Sequence, residues 1–211
     1  MLKKPLFLSF LFLPNILFAY DCSKYKYDVD VDINVDYGDV KIEKSEKNLV
    51  KKLGYTEEKL SYDISSQIVV IPVNGGNCYS LRGITVDIKE DFQVIIDKRL
   101  KENSCAYDIV LKHEQDHVDV YRNIIKNNIE NIKKSVSDGL KNFNTVVKKE
   151  EEGNFSKKIS ESDFVKNIMD DIKNKFDDEN KKIDERGDTY YIWKCDDFYQ
   201  EMKNNKDIVI D

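Results

Sequence analysis

Residues 104–143 read SCAYDIVLKHEQDHVDVYRNIIKNNIENIKKSVSDGLKNF. Ser104 is a residue type that caps helix N-termini, its side-chain oxygen accepting from a free backbone N–H of the first turn. Apolar residues then recur at Tyr107, Val110, Leu111, Val118, Tyr121, Ile125, Ile129, Ile132, Val136, Leu140 and Phe143. Steps of three and four put them on one stripe of a helix. The stretch predicts a single long amphipathic helix, with Gly139 as the place where it can bend.

Working outward, a polar break at Glu150 to Ser156 separates this helix from a second periodic run at Phe164, Ile168, Ile172, Phe176 and Ile183, which stops near Gly187. Two such helices can form a long antiparallel hairpin, their stripes packed on each other and on a sheet. The charged segment Lys141 to Lys158 is the expected mobile loop. Before the helix the period is two. Tyr25, Tyr27, Val29, Val31, Ile33, Val35 and Tyr37 alternate with Asp28, Asp30, Asp32, Asn34 and Asp36, a half-buried strand whose acidic side faces water rather than a calcium ion. Ser45 to Leu60 reads as one or two short helices. Gln67–Val73, Leu81–Ile88 and Phe92–Ile96 read as strands, with Asn74-Gly75-Gly76-Asn77 as a turn. The expected fold is therefore α+β, a small, mostly antiparallel sheet followed by the helical hairpin.

The chain has 211 residues, 34 Lys plus Arg against 40 Asp plus Glu, and a formal charge of −6. That balance, with no basic run, argues against a nucleic-acid partner. Ten Phe, twelve Tyr and one Trp supply enough bulk for one folded core. Lys3 and Lys4 precede an apolar run from Leu6 to Phe18 that ends at Ala19, the pattern of a cleaved export signal over residues 1–19. The run is short and broken at Pro14, so no membrane span is expected after cleavage. Residues 20–211 then form a single domain, periplasmic or secreted. In an oxidising compartment Cys22, Cys78, Cys105 and Cys195 imply two disulfides. Of three connectivities, Cys78 with Cys105 and Cys22 with Cys195 is preferred, although sequence alone does not choose. No C-x-x-C spacing supports a thiolate metal site instead.

The helix carries His113-Glu114-Gln115-Asp116-His117, an H-E-x-x-H motif, and these are the only two His of the chain. Residues four apart lie one above the other, so both imidazoles can face one metal ion. Zinc is the expected cofactor, one per chain. Glu114 beside them can take a proton from a zinc-activated water and return it to a leaving amine. A catalytic zinc has a third protein ligand. Glu130 and Cys105 lie about 20 Å and about 12 Å along the same helix and cannot reach. If the hairpin turns near residue 152, the segment facing the motif nominates Asp184, Glu185 and Asp188, with Asp177 two turns earlier. Asp184 is the first choice. Cys195 could reach the region but is expected to be oxidised. Tyr190, near Tyr191 and Trp193, is a candidate hydrogen-bond donor to a developing oxyanion.

Val118-Asp119-Val120-Tyr121 follows the motif, so the Gly and third His of metzincins are missing. Ser104-Cys105-Ala106-Tyr107 leading into H-E-x-x-H, Cys78 before a strand, and Asp184 followed by Tyr190, Trp193 and Cys195 together resemble a family of small exported bacterial proteins described as zinc-dependent proteases. The resemblance covers most of residues 20–211 and rests on the H-E-x-x-H core. It implies a zincin-like metallopeptidase domain acting on a peptide or protein substrate. Some related groups carry a further His in the second helix, where this chain has none. The competing readings are a non-catalytic exported binding or envelope-associated protein, and metal-dependent hydrolysis of a non-peptide amide.

Overall fold

Alternation of apolar and acidic residues does build the first strand, β1 (Asp30–Lys44), with Asp30, Asp32, Asn34 and Asp36 exposed and Val31 buried. The computed structural model describes residues 21–49, 52–141, 143, 145–148, 155, 157–159, 163–185, 195 and 196. The expected leader 1–19 lies outside them. After β1 come β2 (Gly54–Val73), β3 (Gly76–Ile96), the helix α1 (Cys105–Lys141), a short strand β4 (Val146–Lys148) and the helix α2 (Asp163–Glu185). The sheet runs β1-β3-β2, with β4 also on β3.

β2 and β3 are antiparallel and meet at Asn74-Gly75, where Gly75 takes a positive φ of 98°, a conformation open to glycine and required at the third position of a type II turn. β1 pairs with β3 in parallel, Asp30 beside Gly83 through Lys44 beside Ile96. The sheet is thus mixed, not mostly antiparallel. The chain leaves β1, passes the end of β3 and enters β2 on the far side. Asp97 secures that crossing. It accepts from the backbone amide of Leu49 (2.7 Å) and from Arg99 Nη2 (2.7 Å). Burial pushes its carboxyl up, but Arg99 and the Arg99 and Leu49 amides outweigh this and hold it below the usual range.

Three expectations about strands and helices are corrected. Ser45 to Leu60 is not helical; β2 begins at Gly54, because Gly54, Thr56, Glu58 and Leu60 share a register face with the buried row of β3, and tertiary pairing overrides helix propensity. Leu81–Ile88 and Phe92–Ile96 are one strand, not two. The charged triplet Lys89-Glu90-Asp91 looks like a break, yet its middle residue, Glu90, is fully buried in the row Ile84, Val86, Ile88, Glu90, Phe92, Val94 and Ile96. The segment Lys141–Lys158 contributes β4: Val146 and Val147 are buried, and the Thr145 carbonyl accepts from the Leu81 amide (2.9 Å).

That row of β3 packs against α1, whose buried stripe includes Ala106, Val110, Val118, Tyr121, Ile125, Ile132 and Val136. α2 adds Val165, Met169, Ile172 and Phe176. The contacts descend α2 as they ascend α1: position 113 meets 184, 121 meets 176, and 128 meets 175. β4 lies between the two helices in the chain, so no short turn joins them. The disulfides pair Cys22 with Cys78 and Cys105 with Cys195, not as preferred above. Cys78 opens β3 and Cys105 follows its other end, separated by a strand that rises about 3.3 Å per residue, far beyond the 5.6 Å between bridged Cα atoms seen here.

Candidate metal centre

The Ser104 hydroxyl accepts from the Tyr107 amide (3.3 Å) and starts α1 as expected. Two turns on, His113 and His117 point the same way, their rings edge to face with centroids 4.9 Å apart. Their Nε2 atoms are 3.3 Å apart. Asp184, in the last turn of α2, brings Oδ1 to 3.4 Å from His113 Nε2 and 3.2 Å from His117 Nε2. These three side chains form a group that could hold a metal ion. Both His are buried, whereas the Asp184 side chain is 66% exposed. The centre is therefore walled by the helices and open on the Asp184 side.

The spacing itself tests the fit. Ligands about 2.0–2.1 Å from a tetrahedral ion lie about 3.3 Å from one another. The three edges here are 3.2, 3.3 and 3.4 Å. Three acceptor-capable atoms this close repel unless a proton or cation sits among them.

Glu114 is 4% exposed and turns toward β2, not into the ligand triangle. The Thr56 hydroxyl lies 2.9 Å from its Oε2 and 3.1 Å from its backbone carbonyl. Burial raises the Glu114 carboxyl above the usual range, while Thr56 and the two imidazoles pull the other way. Gly54 makes the approach possible. A Cβ there would stand 2.6 Å from Val110 Cγ1 and 3.0 Å from Glu114 Oε1. Gly54→Ala is expected to cost about 1–3 kcal/mol through this overpacking; an unchanged urea midpoint would show that β2 can withdraw freely.

Of the other nominated residues, Glu185 lies 3.8 Å from Lys181 and outside the triangle. Asp177 is not part of it either. Cys195 is bonded to Cys105 and cannot be a thiolate ligand. Asp188, Tyr190, Tyr191 and Trp193 lie outside the described residues. Sequence reasoning missed Thr56 and Asn180. Asn180 Oδ1 is 2.7 Å from His117 Nδ1, and its Nδ2 donates to the Tyr121 hydroxyl. A signal existed for Asn180: it follows Ile172 and Phe176 at four-residue steps, a polar residue on the apolar stripe. Nothing marked Thr56, whose segment reads locally as helix.

No family model matches this chain, and no similar curated protein or solved structure was found.

Proposed function

We propose that the chain is an exported zinc-dependent peptidase with His113, His117 and Asp184 as zinc ligands and Glu114 as general base and acid. One observation carries this reading: two imidazole nitrogens and a carboxylate oxygen converge with tetrahedral edge lengths on the same side of an H-E-x-x-H helix. Two nitrogens and one oxygen are the donor set of a catalytic zinc with an open fourth position, and zinc held there lowers the pKa of water toward about 7. Glu114 takes the proton and delivers it to the leaving amine. Thr56 holds one of its oxygens, and the buried wall around it favours proton retention between the two transfers.

Support for a peptide substrate comes from β2. Among the described residues β2 pairs only with β3, so no strand covers its other edge, and Thr56 of the same strand touches Glu114. An extended substrate can add to such an edge. Phe92–Ile96 pairs on both sides and cannot serve. Two disulfides and the leader-like residues 1–19 support a periplasmic or secreted location. No helix of the described residues is long and apolar enough to cross a membrane.

Metal analysis of the purified oxidised protein tests the core of the proposal. About one zinc per chain is expected in the wild type, and less than about a tenth of that in His117→Ala, which leaves only two of three ligands. A wild type that holds no zinc against dialysis would sink it.

A further inference from the structure

Asn180 and Asp184 stand one turn apart on α2 and face His117 and His113, one turn apart on α1. One step further along, Phe176 meets the Tyr121 ring edge-on, with centroids 4.4 Å apart. Phe92 stacks on the same tyrosine at 5.8 Å. Tyr121 is thus clamped between a strand and a helix, and its hydroxyl receives the Asn180 amide N–H. That contact leaves the other end of the amide, the carbonyl, for His117 Nδ1 at 2.7 Å.

A neutral imidazole carries its proton on one nitrogen and a lone pair on the other. Ligation through Nε2 requires the proton on Nδ1, and Asn180 Oδ1 is the acceptor placed there. An amide has two unlike ends. Turned over, its NH2 would donate to Nδ1, drive the proton onto Nε2 and close the metal position. We infer that Asn180 is a positioning residue that fixes His117 in the metal-binding tautomer. The inference rests on the metal centre proposed above, but its first readout does not need metal.

The experiment compares zinc-free wild type with Asn180→Leu and Asn180→Asp by nitrogen-15 NMR of the histidine rings under mildly alkaline conditions, and then measures zinc affinity by competition with a chelator. The wild type should show the His117 proton on Nδ1. Asn180→Asp should keep it there, because a carboxylate can only accept, and should bind zinc at least as tightly. Asn180→Leu, without an acceptor, should lose the Nδ1 preference and bind zinc about 10- to 100-fold more weakly, the usual effect of removing such a partner. Wild-type tautomer and affinity in Asn180→Leu would overturn the inference and leave the zinc proposal standing. An Nδ1 proton in a wild type that binds no zinc would keep the tautomer assignment and remove the zinc proposal. A wild type with its proton on Nε2 would overturn the inference outright.

Discussion

Glu114→Gln is expected to retain one zinc per chain and to lose about 10³-fold in peptide hydrolysis, within the range for removing a general base and acid. The substitution is nearly isosteric. Thr56 can still donate to the amide oxygen in place of Oε2, so the packing against Gly54 and Val110 should survive. Glu114 is also not a member of the ligand triangle, so zinc should not notice the change. What the amide cannot do is accept a proton. Parallel zinc assays and peptide cleavage separate these outcomes: a variant that cleaves like the wild type removes Glu114 from the mechanism, and one that loses zinc places it among the ligands.

The second large effect concerns stability. Glu90 is fully buried between Ile88 and Phe92, and neither carboxylate oxygen has a hydrogen-bond partner among the described residues. Desolvation, helped by Glu58 on the neighbouring strand and only partly offset by Arg122, pushes its pKa up from 4.5 to about 7. The folded protein therefore holds a proton here that the unfolded chain releases at lower pH. This contribution is fully present below pH 4.5 and is lost as pH rises through about 7. Such a shift corresponds to about 3 kcal/mol at about 1.36 kcal/mol per unit. Glu90→Gln cannot ionise. Relative to wild type, it should gain about 3 kcal/mol on going from pH 4.5 to above pH 7. Urea unfolding of both proteins at the two ends of that window measures the difference, and curves that stay parallel would show that Glu90 is solvated or paired in solution.

The same residue explains much of what could be read in advance. α1 and α2 are legible because long apolar stripes at helical spacing have few alternatives, and Asp184 follows from laying one helix back along the other. β3 is not legible as one strand, because a buried carboxylate in its centre imitates a loop. Once it is split in two, Cys78 and Cys105 look close and the disulfides are mispaired. β2 is hidden for another reason: Glu57, Glu58 and Lys59 suit a helix locally, and only pairing with β3 makes them a strand. Thr56 and Asn180 acquire their roles through contacts across elements, which no spacing within one segment reveals.

The parallel docking of β1 also fixes an order of assembly. β1 is made first, but its strand partner is the Gly83–Ile96 part of β3. It must wait while the β2–β3 hairpin closes around Asn74-Gly75, a local event that precedes non-local parallel pairing. During that interval Val29, Val31, Ile33 and Val35 form an unpaired apolar strand, the kind of segment that finds other chains. Asp28, Asp30, Asp32 and Asp36 make any two copies of it repel. In the folded protein these acids only face water. Their larger service falls earlier, as gatekeepers that keep the first-made strand soluble until the last pairing closes the sheet.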